Sequence, residues 1–220
     1  MKKLWNLKYW DSGEWQVIGE RLDDSEKLGK SYCPLRNHLF EGLRILNPDS
    51  TRVCLLGQDP YPSKAYATGV AFSIPRDCRT FPPTLENIFK EYSEDLHYPI
   101  PTSGDLTPWC KRGVLLWNCI PSVYCAKTLS HFCWTEWHLL TEEIIDTLDK
   151  TNHVVFGCLG SVARDFFYKN ARQSDVIVCS HPSPRGNKNS NTPFLGSRLF
   201  STINAKLCEQ GLEPIDWRLP

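Results

Sequence analysis

The chain has 220 residues, of which 41% are hydrophobic and 23% charged, a composition typical of a folded domain that excludes a disordered or fibrous protein. Because 25 basic residues balance 25 acidic ones, the formal net charge is zero and gives no general argument for a nucleic-acid partner. The charges are unevenly spread, however, since residues 180–206 contain Lys and Arg but no Asp or Glu. A neutral chain can therefore still be basic on one face.

Targeting segments are not evident in the sequence. The N-terminus lacks the apolar core of a signal peptide, and no stretch approaches the roughly 20 apolar residues that cross a membrane. Residues 1–30 mix tryptophans with charges without a clear period, so we treat them as a leader whose tryptophans pack on a single domain, residues 31–220.

The ten cysteines are scattered, fall mostly in apolar runs and include no C-x-x-C pair, so we interpret them as free thiols in a reducing compartment. The expected location is the cytoplasm, or the nucleus or cytoplasm of the host if the chain is viral. A group with metal-binding side chains has a spacing unlike that of usual zinc sites, and we favour a structural role for its members: Cys125, His131, Cys133 and His138.

Hydrophobic periodicity predicts helices and strands that alternate along the chain. The helices are expected at 34–46, 84–96, 135–148, from near Ser161, and at 197–210, with Thr84 as a candidate N-cap. The strands are expected at 52–56, 113–117, 153–156 and 175–179, and 68–75 is expected to be extended. This alternation predicts an α/β fold with a central four-stranded parallel sheet flanked by helices.

Polar side chains follow the predicted strands where each one ends: Gln58, Asp59 and Tyr61, then Asn118, then a turn beginning at Gly157, then His181 and Ser183. The carboxyl ends of parallel strands share one edge of the sheet, where ligands usually bind. We therefore expect a carboxylate, a carboxamide, an imidazole and aromatic rings to converge on one crevice.

The residues at these strand ends suit catalysis by electrostatic stabilisation of charge. The sequence contains no G-x-S-x-G, no Walker loop and no G-x-G-x-x-G, and one Asp with one His does not make a metal site. A carboxylate that stabilises a cation, an amide that pairs with a heterocycle, a stacking ring and a hydrogen-bonding His suit cleavage of a bond between a sugar and a base.

The motifs also resemble, in order and approximate spacing, those of family 1 uracil-DNA glycosylases: residues 57–61, GQDPY; 69–73, GVAFS; 82–85, PPTL; 113–118, GVLLWN; and 181–184, HPSP. The resemblance extends from about Tyr32 to Trp217. It implies an enzyme that flips uracil out of DNA and hydrolyses its N-glycosidic bond, leaving an abasic site, without metal or cofactor. Its partners would be single- and double-stranded uracil-containing DNA and a proteinaceous inhibitor of the family, with no membrane, and the chain would be a monomer.

The resemblance implies a role for each residue of the base pocket. Asp59 would orient water and stabilise the sugar cation, and His181 would donate to the O2 anion as neutral imidazole. Gln58 would hold uracil through its backbone, and Tyr61 would exclude the thymine methyl group. Stacking on the base and pairing with its O4 and N3 edge would fall to Phe72 and Asn118 respectively.

The implied contacts to the DNA backbone come from small donors and the turn at 157–161: Pro82, Pro83, Thr84, Ser161 and Ser183. The sequence departs from the family at Arg185, where a leucine usually fills the gap left by the extruded base. An Arg can both wedge and hold phosphate, so we expect base flipping with altered kinetics and stronger salt dependence. Pro62 and Thr68 also replace the usual histidines.

Two other interpretations stay open at this point. The fold could serve as a DNA clamp or polymerase accessory without catalysis, which the change at Arg185 motivates. It could also act on another damaged base, in which case Tyr61 would not be the barrier against thymine.

Overall fold

The computed structural model describes residues 2–151, 153–188 and 190–219 and has an α/β architecture. The strands are β1 (Tyr32–Cys33), β2 (Val53–Gly57), β3 (Val114–Asn118), β4 (Val123–Tyr124), β5 (Val155–Leu159) and β6 (Val176–Cys179). The α-helices are α1 (Glu14–Lys27), α2 (Glu41–Ile45), α3 (Pro83–Leu96), α4 (Thr107–Cys110), α5 (Thr135–Asp149), α6 (Ser161–Asn170), α7 (Pro184–Lys188) and α8 (Leu199–Glu209).

Four strands form the parallel sheet that the sequence predicts, in the order β3-β2-β5-β6. The register pairs Gly57 with Asn118, and Leu56 with both Trp117 and Cys158. All four strands therefore end at the same edge of the sheet. A separate antiparallel pair, β1 with β4, lies outside this sheet.

The core consists of two layers, one on each face of the sheet. Every residue of β2, β3 and β5 is buried, and alternate side chains enter opposite layers. Leu56 and Trp117 pack in the layer that contains α1, α5 and α6, whereas Leu55 and Leu116 pack in the layer that contains α3 and α8. None of the helices in the described ranges has both the length and the apolar character needed to cross a membrane.

The N-terminal residues contribute to the first of these layers. Trp5 is fully buried, and its indole N–H donates to the carbonyl oxygens of Leu43 and Leu46 at 3.1 and 2.8 Å. Helix α1 buries Ile18 and Leu22 in the same layer. The division into a leader, residues 1–30, and a domain, residues 31–220, stays a prediction. The contacts of Trp5 offer a way to test whether the leader contributes to the core.

The structure corrects several local predictions. The helix expected at 34–46 is a 3₁₀ turn followed by the short α2, because Phe40 leaves helical geometry at φ −118° and ψ 25°. Residues 68–75 form turns rather than an extended segment, since Gly69 and Phe72 have positive φ. Thr84 lies inside α3, whose N-cap is Pro82 without a side-chain hydrogen bond.

The third predicted strand also ends later than expected. β5 continues through Gly157 to Leu159, so the turn begins at Gly160 and not at Gly157. A Cβ at Gly157 would lie 2.5 Å from the Leu55 side chain, which explains why a glycine occupies this strand position. The sequence pattern does not predict helices α1, α4 and α7.

We predict that Trp5→Ala lowers the free energy of unfolding by about 3–5 kcal/mol, because it removes a buried ring and leaves two carbonyl oxygens without their donor. The matched control is Trp15→Ala, which removes a ring that is 44% exposed and should cost about 0.5 kcal/mol or less. Urea denaturation followed by tryptophan fluorescence measures both. Equal small effects would show that the leader does not contribute to the core.

Candidate active site

A cleft of about 910 Å³ opens where the strands of the parallel sheet end. Its wall contains nine of the residues predicted from the sequence: Gln58, Asp59, Tyr61, Phe72, Thr84, Ser161, His181, Ser183 and Arg185. Three other predicted residues do not line the open wall: Pro82, Pro83 and Asn118. Side chains that are up to 127 positions apart in the sequence therefore meet here because of the sheet topology.

The inner end of the site is built around Gly57, the last residue of β2. A Cβ there would lie 2.6 Å from the Asn118 side-chain oxygen and 2.7 Å from the ring of Phe72. Any other residue would therefore displace both groups. Asn118 is 8% exposed and is the register partner of Gly57, so its amide lies at the inner end of the site, next to the edge of the Phe72 ring.

Phe72 reaches this position through an uncommon backbone conformation, with φ at +65°. The neighbouring Ala71 N–H donates to the Leu116 carbonyl at 3.2 Å, which anchors the segment to β3. Tyr61 also holds this segment in place, since its hydroxyl donates to the Phe72 carbonyl oxygen at 3.1 Å. Burial raises the pKa of Tyr61, so this hydroxyl stays protonated and available as a donor.

Asp59 is held by two hydrogen bonds to its carboxylate. Gln58 Nε2 donates to Oδ1 at 3.0 Å, and the backbone N–H of Leu129 donates to Oδ2. Burial raises the pKa of Asp59, while these donors stabilise the ionised form and oppose that rise. A desolvated carboxylate of this kind interacts strongly with a positive charge placed next to it.

His181 follows β6, and its tautomer is set by a backbone donor. The N–H of Ser183 donates to His181 Nδ1 at 3.1 Å, so in the neutral ring the proton lies on Nε2. Burial lowers the pKa of His181 to about 4, which keeps the ring neutral at pH 7. Its ring centroid lies 6.3 Å from that of Phe72, so a neutral N–H donor stands close to the aromatic wall.

Two helix N-termini meet the cleft beside these residues. Thr84 is in the first turn of α3, and Ser161 is the first residue of α6, which follows Gly160 at φ +105°. Helix N-termini present free backbone N–H groups and a partial positive charge, which suit phosphate groups. The segment that follows β6 adds two more residues to the wall of the cleft. They are Ser183, whose hydroxyl accepts a hydrogen bond from the Gly186 N–H, and the exposed Arg185 in α7.

Three further residues at this site are not among those that the sequence predicts. Leu129 holds Asp59 through its backbone from 70 positions away, and Thr128 beside it lines the wall. Neither has a side chain that suggests a functional role. Arg164 also lines the wall, and the sequence does contain a signal for it, because it is a cation one helical turn after Gly160 and Ser161.

The histidines of the group considered as a zinc site, Cys125, His131, Cys133 and His138, contact protein groups that are not metal ligands. His131 is fully buried, stacks on Trp134 at 3.7 Å and hydrogen-bonds through Nδ1 to Ser122 at 2.7 Å. His138 Nε2 contacts the Phe132 carbonyl at 2.7 Å. Across the described ranges, no group of three or more His, Cys, Asp or Glu side chains is placed to hold a metal ion.

Comparisons with known proteins agree on one family. The model of the uracil DNA glycosylase superfamily matches residues 44–208. The uracil-DNA glycosylase of Thermobifida fusca is 39% identical over 206 residues, covering 92% of this chain and 87% of the relative. Among solved structures, mimivirus uracil-DNA glycosylase superimposes with a TM-score of 0.85 at 26% identity, covering 96% of this chain and 84% of that one. A mimivirus UNG variant in complex with UGI gives a TM-score of 0.84 at 25% identity and covers 96% and 86%.

We predict that His181 is the Nε2–H tautomer at pH 7 and protonates with a midpoint near 4, because burial disfavours the imidazolium. Long-range ¹H–¹⁵N correlation spectra recorded through a pH titration report the protonation of each ring nitrogen. His181→Gln identifies the resonances by their loss. A midpoint near the ordinary value of about 6.5, or a proton on Nδ1 at pH 7, would contradict this assignment.

Proposed function

This chain belongs to the uracil-DNA glycosylase superfamily, and we propose that it removes uracil from DNA by the chemistry of Asp59 and His181. The observation that carries the proposal is their joint presence in one cleft: a buried carboxylate and a neutral imidazole with its donor nitrogen defined. Breaking the bond between C1′ and N1 leaves positive charge on the sugar and negative charge on the base. Each developing charge then meets a group of suitable polarity.

Asp59 acts on the sugar. Its ionised carboxylate stabilises the cation that forms at C1′ and orients the water that attacks there. The water oxygen forms the new bond to C1′, its proton passes to the carboxylate, and the C1′–N1 electron pair leaves with uracil. Because Leu129 and Gln58 already hold the carboxylate, little reorganisation accompanies the reaction.

His181 acts on the base. Its Nε2–H donates to uracil O2 as negative charge accumulates there. A neutral donor suits this role, since an imidazolium with a pKa near 4 would transfer its proton rather than keep it in a hydrogen bond. The Ser183 N–H maintains this tautomer throughout.

Uracil recognition is proposed for four residues around Gly57. The Phe72 ring stacks on the base, and the Asn118 amide pairs with the O4 and N3 edge, which rejects cytosine by mismatched donors and acceptors. The Gln58 carbonyl already accepts from Ile120 N–H at 3.0 Å, so the backbone N–H of Gln58 is the group it offers to uracil. The Tyr61 ring, fixed by its bond to Phe72, occupies the space that a thymine methyl group would need.

Contacts with the DNA backbone are proposed for the rim of the cleft. The Thr84 N–H in the first turn of α3 and the N-terminus of α6 at Ser161 are offered to phosphates. Pro82 and Pro83, the N-cap and the first residue of α3, stiffen this turn. Ser183 adds a hydroxyl. Arg185 is exposed and has no acidic partner within the described part of the chain, so it is free to enter the duplex or to bind a phosphate.

A protein inhibitor is the second partner that we propose. The support is that a mimivirus neighbour of this chain was solved in complex with UGI, with 96% of this chain superimposed. Binding of UGI to the purified chain, measured by calorimetry, tests this proposal directly.

We predict that Asp59→Asn lowers the single-turnover rate of uracil release by about 10²–10⁴-fold, because an amide neither stabilises the sugar cation nor accepts the proton of water. Affinity for uracil-containing DNA should be almost unchanged. The matched control is Asp165→Asn, which alters an exposed carboxylate next to Arg164 on the wall and should change the rate by about twofold or less.

The Asp59 experiment also separates an enzyme from a DNA clamp. In an enzyme, the wild-type chain releases uracil and Asp59→Asn binds DNA without release. In a clamp, both proteins bind and neither releases uracil, which would contradict the proposed function.

We predict that Tyr61→Ala gains thymine release of about tenfold or more over the wild type, because removal of the ring opens space for one methyl group. Tyr61→Phe keeps the ring and loses only the bond to the Phe72 carbonyl, so it should still reject thymine. Release of free bases from matched oligonucleotides measures both variants. A Tyr61→Ala protein that gains no thymine activity would favour the alternative that the pocket serves another damaged base.

A further inference from the structure

Two thiols outside the active site lie in contact with each other. Cys33 Sγ and Cys125 Sγ are 3.1 Å apart, although the residues are 92 positions apart in the sequence. Cys33 belongs to β1 and Cys125 directly follows β4, so the antiparallel pairing of these strands brings them together. In the described ranges, this is the one pair among the ten free cysteines whose sulfur atoms are within hydrogen-bonding distance.

The two members of the pair differ in accessibility. Cys33 is completely buried, whereas Cys125 is half-buried and can meet a small solute. The Cys125 backbone is fixed by its N–H, which donates to the Ser31 carbonyl at 2.9 Å. The sulfur atoms need to approach by only about 1 Å to reach a disulfide bond of about 2.05 Å.

We propose that Cys33 and Cys125 are a site of reversible oxidation, at which a peroxide joins them in an intramolecular disulfide. The site is distinct from the uracil pocket and does not depend on the proposed function. The remaining cysteines stay reduced. Those of the parallel sheet are buried without a partner in contact, and the exposed ones, such as Cys133 and Cys208, lack a neighbouring sulfur among the described residues.

The reaction balances in two steps. The Cys125 thiolate attacks one oxygen of hydrogen peroxide and breaks the O–O bond, which gives a sulfenic acid and, after protonation of the departing hydroxide, one water. The Cys33 sulfur then attacks Cys125 Sγ and breaks the S–O bond. The departing hydroxide takes the Cys33 proton and leaves as a second water. Two thiols and one peroxide thus give one disulfide and two waters.

The buried thiol suits the second step better than the first. Burial and the neighbouring Cys125 raise the pKa of Cys33 to about 12, so Cys33 is protonated at pH 7 and does not react with peroxide on its own. Hydroxide leaving from Cys125 forms directly beside it and removes its proton at the moment of attack. The pair therefore reacts in a fixed order.

The disulfide would act on a loop that supports the active site. Directly after Cys125, the Ala126 N–H donates to the Pro62 carbonyl at 2.8 Å, and the Leu129 N–H donates to Asp59. A bond at Cys125 anchors the start of this loop to β1 without moving either contact. We therefore expect the oxidised protein to be more stable and to keep its active-site geometry.

The experiment treats the purified full chain with hydrogen peroxide, blocks free thiols with iodoacetamide, and maps peptides by mass spectrometry without reduction. The expected result is a peptide pair linked through Cys33 and Cys125 that dithiothreitol separates. The linked pair should be absent from Cys125→Ser and present in Cys208→Ser, a control that removes an exposed, unpaired thiol of α8.

Thermal unfolding provides the second readout. Closing a loop of this length should raise the Tm of the oxidised wild type by about 5 °C or more, and the rise should be missing in Cys125→Ser. Recovery of Cys33 and Cys125 as alkylated free thiols, or their capture by other cysteines, would overturn the proposal. A mapped disulfide without a rise in Tm would overturn the role assigned to it. Both readouts use wild-type protein, so the test stands even if the serine variant fails to fold.

Discussion

The parallel pairing of β2 with β3 and β5 is the constraint on which the site depends. It brings Gly57 next to Asn118. Together with the parallel pairing of β5 and β6, it directs the loops that carry Asp59 and His181 to one edge of the sheet. Because Gly57 has no side chain, the Asn118 amide and the Phe72 ring both approach its backbone. This register therefore shapes the inner end of the cleft, where the base is proposed to bind.

Burial and the local hydrogen-bond donors together set the protonation states of the two proposed catalytic groups. The same desolvation raises the pKa of Asp59 and lowers that of His181, so each change favours the neutral form. Donors at Leu129 and Gln58 counter the effect at Asp59 and favour the carboxylate, while the donor at Ser183 leaves His181 neutral and orients it. A charged acceptor and a neutral donor can therefore act together at neutral pH.

The sheet and most of the residues that line the cleft could be predicted from the sequence because strand ends and polar loops are local features. Runs such as 52–56 followed by Gly57, Gln58 and Asp59 contain both the element and its chemistry. The function of Leu129 could not be predicted, since a backbone N–H has no sequence signature and its partner is 70 positions away.

Tertiary packing explains the other differences between prediction and structure. Residues 14–27 show no clean apolar period because α1 buries few residues, yet they form a helix against α5. The positive φ of Phe72 is stabilised by contacts with β3 and Tyr61 and not by the local sequence.

Uracil release is tested most directly by incubating the chain with a single-stranded oligonucleotide that contains one deoxyuridine. The free base and the integrity of the strand are then quantified. We expect stoichiometric release of uracil, with an abasic and otherwise intact strand and no release from the thymidine counterpart. Protein that binds this DNA but releases no uracil would contradict it.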